Sequence, residues 1–161
     1  MNIPDVKIKE MIMEIELGNE ITQKIHALNE QDWEELESLY RRLINYKGNF
    51  SEMGGGQKIE LGVIEMPYTI ESPIVVEARQ FILNKHLIVM FNWSRWEEGK
   101  AMFRVDEQDR FKDVSLADVI KLFTAVMRNS RFSDGAWADL FENGDGQRLF
   151  KRFLDFKPTS P

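Results

Sequence analysis

Residues 115–129 read SLADVIKLFTAVMRN and have the pattern of a capped amphipathic helix. Ser115 followed three residues later by Asp118 is typical of a capping box, in which side chains satisfy backbone N–H groups that the first helical turn leaves free. One face of this helix is apolar and consists of Leu116, Val119, Ile120, Phe123 and Met127. Because these positions recur at the helical period, we predict that this face packs into the core.

A second helix is predicted over residues 32–46. Asp32 suits the N-cap position, Glu34 suits the first turn, and Gly48 follows the end of the pattern. Its apolar face consists of Trp33, Leu36, Tyr40, Leu43 and Ile44. Both ends of this helix are therefore marked by residues that favour helix starts and stops.

Apolar residues upstream of that helix, between 8 and 28, also recur at helical spacing, although those at 11–17 alternate as in a strand. We expect residues 1–28 to form a helical arm at the periphery of the molecule. Its methionines would give it an adaptable apolar face, which suits a partner helix or self-association.

Further elements follow from shorter patterns. Ser72-Pro73 predicts a helix start, and two short apolar helical patterns close the chain, around Trp137 and around Phe150. Alternation over 58–66 predicts a half-buried strand, with 86–91 as its candidate partner under the helix at 115–129. We predict one mainly α domain over residues 1–161, α+β by strict count: a helical bundle with a minor β element and a frayed tail at 157–161.

Composition restricts the function. The chain has 161 residues, 21 basic and 27 acidic, with a net charge of −6, a pI near 5.1 and no cysteine. Thiol chemistry and cysteine-bound metals are excluded, and we expect a cytoplasmic protein without a membrane segment. Bulk nucleic-acid binding is disfavoured by the charge. A local basic patch remains an alternative, formed by Arg128, Arg131, Arg148, Lys151, Arg152 and Lys157.

Motifs for catalysis are weak. The two histidines, His26 and His86, lie in different segments and have no His or carboxylate three or four residues later on an obvious shared helix face, so we expect no metal and no cofactor. A hydrolase-like enzyme remains one alternative, in which His86 would act with Asp134 or Glu142. Because no spacing supports that arrangement, we favour binding over catalysis.

Aromatic residues and one polar corner form the candidate binding site. We predict a groove lined by Tyr68, Trp93, Trp96 and Trp137, in which Arg131 and Asp134 orient the ligand. Structural roles are the alternative: tryptophans three residues apart also suit a helical core, Asp134 suits an N-cap, and Arg131 suits a carboxylate or a helix end.

The string Arg131-Phe-Ser-Asp-Gly-Ala-Trp-Ala138, with Met66-Pro-Tyr68 and Phe91-Asn-Trp-Ser-Arg-Trp96 upstream, resembles an uncharacterised prokaryotic family, domain of unknown function 6508. The resemblance covers about residues 60–155. It implies a free-standing, helix-rich intracellular domain and no catalytic residue. Family members often have cysteine where Ser133 stands here, which argues against a required thiol.

These observations together favour a non-catalytic binding module whose partner is a protein, a peptide or a small polar ligand. The alternatives are the hydrolase-like enzyme and self-association of the amino-terminal segment into a homodimer.

Overall fold

The computed structural model describes residues 3–159, which form seven α-helices and four short strands. The predicted class, mainly α with a minor β element, is confirmed. The helices are α1 Ile3–His26, α2 Glu30–Ile44, α3 Pro73–Asn84, α4 Glu97–Met102, α5 Leu116–Asn129, α6 Ala136–Glu142 and α7 Asp145–Leu154. The strands are β1 Ser51–Gly54, β2 Lys58–Glu60, β3 Val63–Ile64 and β4 Tyr68–Glu71.

Helix α5 has the predicted N-cap, Ser115, and the predicted inner face, although only the Ser115 half of the predicted capping box is formed. The Ser115 hydroxyl accepts the Asp118 N–H at 3.2 Å. Val119, Ile120 and Phe123 are fully buried. Without this cap, the first turn would leave the Asp118 N–H group without a protein partner. The burial of the apolar face places α5 in the core.

Helix α2 begins earlier than predicted, because Asn29 and not Asp32 is its N-cap. The Asn29 side chain accepts the Asp32 N–H at 2.9 Å, and the Asp32 carboxylate accepts the Asn29 N–H at 3.0 Å. Lys85, at the end of α3, donates to the same carboxylate at 2.7 Å. The Lys85 ammonium, aided by the Asn29 N–H, holds the pKa of Asp32 below its ordinary value.

The β element differs from the prediction. Residues 58–66 do not form one half-buried strand paired with 86–91; instead β2 pairs with β3 in an exposed antiparallel hairpin. Strands β1 and β4 pair at its base, so 51–71 is one protruding ribbon. Residues 87–90 contain no strand: the Val89 N–H donates to the Thr124 hydroxyl on α5 at 3.0 Å instead of to a neighbouring strand.

The core lies between α2, α5, α6 and α7 and is rich in aromatic rings. Phe123 of α5 makes edge contacts with Phe150 and Phe153 of α7, with ring centroids 5.4 and 5.8 Å apart. Trp33 of α2 contacts Phe153 at 5.3 Å. The two closing helices, α6 and α7, contact each other. Large buried rings of this kind supply much of the apolar area that stabilises a small core.

The two ends of the described chain differ. Ile21 and Ile25 near the end of α1 are buried, whereas the apolar side chains from Val6 to Ile15 are exposed. At the other end, the Lys157 ammonium lies 2.9 Å from a Glu37 carboxylate oxygen, and residues 160–161 of the predicted tail lie outside the described residues. Each helix along residues 3–159 is too short or too polar to cross a lipid bilayer.

Candidate functional site

Two of the predicted site residues, Trp93 and Trp96, line one cavity of about 330 Å³. Trp93 opens a single 3₁₀ turn, and Trp96 directly precedes α4. The opposite wall is α5. The remaining lining residues are Ser94, Gly99, Lys100, Phe103, Leu122, Ala125, Val126 and Asn129.

The position of Trp96 follows from close packing on three sides. Gly99 lies one helical turn later, and a Cβ at that position would collide with the Trp96 ring. Phe91 meets the ring edge-on at 5.4 Å between centroids, and the Lys121 ammonium lies 4.4 Å from the ring centre. The ring is 9% exposed, so it forms a rigid wall of the cavity.

The cavity wall on α5 was missed by the sequence prediction. The predicted inner face of α5 did not include the four residues that line the cavity, Leu122, Ala125, Val126 and Asn129. These positions follow the spacing i, i+3, i+4 and i+7, which is a second stripe on the same helix. This second stripe could have predicted the cavity wall from the sequence, because a helix that is apolar on two faces packs against two neighbours.

Polar groups lie among these apolar walls. The Ser94 hydroxyl donates to the Asn92 side-chain oxygen at 3.1 Å, and the Lys100 ammonium pairs with Glu97 at 2.9 Å. The Asn129 side chain is exposed, and no hydrogen bond to its amide is found within residues 3–159. It therefore offers both a donor and an acceptor to a bound molecule.

Trp137 lies in the core and not on a surface groove. Its side chain is 0% exposed and stacks on Phe141, with ring centroids 6.4 Å apart and planes 26° apart. Its indole N–H is buried without a hydrogen-bond partner in the described part of the chain. The structure therefore places Trp137 where packing, and not ligand contact, determines its role.

The corner at Asp134 joins the β ribbon to α6. The Asp134 carboxylate accepts the Thr69 N–H at 2.7 Å, and Gly135, not Asp134, is the N-cap of α6. A Cβ at Gly135 would lie 3.1 Å from the Thr69 side chain, and φ of Gly135 is +80°. Glycine is therefore needed for both the conformation and the close approach. Tyr68, beside Thr69, is 46% exposed on the ribbon.

Arg131 does not have the structural role considered for it. The side chain is exposed, and no hydrogen bond or ion pair to Asp134, Glu142 or any other residue is found for it within residues 3–159. The predicted set is thus divided among a cavity at Trp93 and Trp96, the corner at Asp134, an exposed Arg131 and the buried Trp137.

The hydrolase-like arrangement has no support in the geometry. His86 is exposed, and no hydrogen bond or ion pair joins it to Asp134 or Glu142 in the described chain. The Asp134 carboxylate is bonded to the Thr69 backbone instead. Within residues 3–159, no three His, Asp or Glu side chains converge as metal ligands would.

A basic cavity of about 280 Å³ contains half of the alternative basic patch. It is lined in part by Arg110, Lys112, Arg148, Lys151 and Arg152. Most of these cations already have carboxylate partners: Arg110 and Arg148 hold the buried Asp145 at 3.0 and 3.2 Å, and Lys151 pairs with Asp155 at 2.6 Å. Carboxylates within the fold therefore balance the charge of Arg110, Arg148 and Lys151.

Comparison with known proteins gives one match. The model of a family of unknown function (DUF6508) matches residues 28–159, a longer stretch than the resemblance inferred from the sequence. Searches of curated proteins and of solved structures found no match. The matched stretch contains the aromatic cavity, the Asp134 corner and the core helices α2 to α7, and the chain therefore belongs to this family of unknown function.

Proposed function

We propose that this protein is a non-catalytic binding module whose ligand is a small molecule with a flat apolar body and one hydrogen-bonding group. The ligand occupies the cavity between Trp93, Trp96 and α5, hereafter the aromatic pocket. The observation that carries the proposal is a preformed apolar cavity whose lining includes one exposed side-chain amide, that of Asn129, with no hydrogen bond within residues 3–159.

Size and composition support a small ligand. Small-molecule sites are concave, mostly apolar and about 300–1,000 Å³ in volume, with few polar groups that orient the ligand. The aromatic pocket, at about 330 Å³, lies at the lower end of that range. Its walls are two tryptophan rings, one phenylalanine ring and aliphatic side chains of α5, which suit a ring system.

Rigidity supports the same conclusion. Trp96 is held by Gly99, Phe91 and Lys121, and Leu122 on the opposite wall is 1% exposed. A pocket whose walls are already ordered costs little further side-chain entropy on binding. The Asn129 amide would then satisfy the polar group of the ligand, because a matched donor and acceptor pair fixes one orientation.

The test uses a pocket-filling variant and a matched control. Ala125 lines the pocket, so Ala125→Phe places a ring inside it, whereas Ala27→Phe adds the same ring at an exposed position outside it. The probe is the aromatic dye 8-anilinonaphthalene-1-sulfonate, titrated by fluorescence. We expect Ala125→Phe to weaken its affinity about tenfold or more, a loss of about 1.4 kcal/mol, and Ala27→Phe to leave it unchanged.

Thermal unfolding of both variants is measured in parallel, so that misfolding is recognised. A folded Ala125→Phe variant that binds the dye as tightly as the wild type would contradict the proposal. Displacement of the dye by members of a metabolite set would then identify the ligand class, because a ligand that binds only the native state also raises its stability.

A further inference from the structure

The amino-terminal half of α1 leaves an apolar stripe in solvent. Ile8, Met11, Ile12 and Ile15 follow the spacing i, i+3, i+4 and i+7, so they lie on one face of the helix. Each is between 48% and 62% exposed. Isolated exposed apolar residues are ordinary, but four on one helical stripe mark a surface that a partner covers.

This stripe is separate from the face by which α1 meets the core. Ile21 and Ile25 are buried at 3% and 6% exposure. With 3.6 residues per turn, they lie about 110° around the helix axis from the exposed stripe. A longer contact between this face of α1 and the core would therefore still leave the stripe exposed. The stripe also lies before residue 28, where the matched family region begins.

Charges beside the stripe are arranged in a self-complementary order. Lys7 and Glu14 are seven residues apart, so they lie on the same side of the stripe. Lys7 precedes the stripe centre between Met11 and Ile12, and Glu14 follows it. A cation before the centre and an anion after it on the same side suit a two-fold axis through that centre, because the axis brings each beside its opposite in the second copy.

We infer that a second copy of this chain covers the stripe, with the two α1 helices antiparallel about a two-fold axis near Met11 and Ile12. In this arrangement Ile8 faces Ile15 of the second copy, and Lys7 lies beside Glu14 of the second copy. A parallel pair would set Glu14 beside Glu16 of the second copy, so like charges would face each other. The charges therefore select the antiparallel orientation.

The expected association is weak. The stripe from Ile8 to Ile15 is roughly 11 Å long, since an α-helix rises about 1.5 Å per residue. An interface of this length is smaller than the roughly 1,600 Å² that stable complexes bury, so we expect a dissociation constant in the micromolar range. Methionine at the centre suits a surface that must repack against its own copy.

Sedimentation equilibrium of the full chain, from about 5 to about 300 µM, tests the association. We expect the wild-type mass to rise from monomer to dimer across this range. Ile8→Glu with Ile15→Glu gives a monomer throughout with an unchanged melting temperature, because both side chains are exposed. The control Ile44→Glu changes a 49% exposed residue on α2 and keeps the dimer.

Charge reversal tests the pairing. Lys7→Glu sets two glutamates beside each other and weakens the dimer by a factor of about 3–5, and adding Glu14→Lys restores it. Disulfide cross-linking measures the orientation of the two helices. Because the chain has no cysteine, the introduced cysteines supply all of the thiols. An antiparallel pair predicts disulfides when the Ile8→Cys and Ile15→Cys variants are mixed, and few in either variant alone.

Three results would overturn the inference: a monomeric wild type at the highest concentration, a dimer that survives the double glutamate variant, or disulfides formed mainly within each single cysteine variant.

Discussion

The segments 131–138 and 91–103 both have the composition of a binding motif, but their aromatic residues serve different ends. Trp137 in the first segment is completely buried and stacks on Phe141. Trp93 in the second segment borders an open cavity together with Trp96. The Asp134 carboxylate in the first segment accepts a backbone N–H, whereas the Asn129 amide beside the second is unpartnered in the described chain.

The difference teaches that a conspicuous motif and a binding surface need not coincide. In segment 131–138, Asp134 joins the ribbon to α6 and Trp137 packs into the core, whereas Arg131 is exposed. Segment 91–103 leaves apolar surface open, because α5 has two apolar faces and only one of them is filled by the core. We therefore expect variants in segment 131–138 to change stability but not binding, and variants in segment 91–103 to change binding.

Removing the Trp137 ring should have the largest effect. Trp137→Ala leaves a large cavity in a core where this residue is 0% exposed, so we expect the free energy of unfolding to fall by about 3–5 kcal/mol. Urea denaturation measures this loss. A loss below about 1 kcal/mol would place Trp137 outside the cooperative core and would contradict the difference between the two segments.

Filling the space beside Trp96 should have the next largest effect. Gly99→Ala forces the Trp96 ring to move, and we expect a net loss of about 1–2 kcal/mol with weaker dye binding, since overpacking exceeds the gain in helix propensity. Gly18→Ala is the matched control. Apart from the adjacent residues and the backbone of α1 itself, no atom lies within 4 Å of the added Cβ there, so stability should rise slightly. Equal changes in stability for Gly99→Ala and Gly18→Ala would show that the Trp96 ring is free to shift.

The Asp134 corner should have a smaller and local effect. Asp134→Ala removes the acceptor for the Thr69 N–H, and we expect a loss of about 1 kcal/mol, because the carboxylate is exposed to water. Hydrogen exchange at the Thr69 amide should accelerate at the same time. Asp134→Asn keeps an acceptor oxygen and should recover most of the protection; unchanged exchange in Asp134→Ala would contradict the contact.

Arg131 should have the smallest effect on stability. The side chain is exposed without a partner within residues 3–159, so Arg131→Ala should change the free energy of unfolding by less than about 0.5 kcal/mol. Dye affinity should also stay the same if the aromatic pocket alone binds the probe. A large change in affinity would extend the site from the pocket to the 131–138 segment.

Much of the fold could be predicted from the sequence, because helical periodicity and caps are local signals. Ser115 and Ser72 mark helix starts correctly. Asp32 was misplaced because an aspartate suits both the N-cap and the third helical position, and only the reciprocal bonds with Asn29 distinguish the two. The ribbon was misjudged because alternation over 58–66 is the same for an exposed hairpin as for a half-buried strand.

The site was less predictable, because its contacts join distant parts of the chain. Trp93 and Trp96 were chosen for their residue type, but the wall that completes the cavity belongs to α5, some thirty residues later. The bond between Thr69 and Asp134 spans 65 residues and replaces the local cap expected at Asp134. Local patterns predict elements, whereas such pairings depend on how the elements pack.

The most direct test measures dye affinity and the free energy of unfolding for the same two variants, Trp93→Ala and Trp137→Phe. If the aromatic pocket is the binding surface, Trp93→Ala weakens dye binding about tenfold with a stability change of about 1 kcal/mol or less. Trp137→Phe should then lower stability and leave the affinity within about twofold. The reverse pattern, with affinity lost at Trp137 and kept at Trp93, would contradict this account.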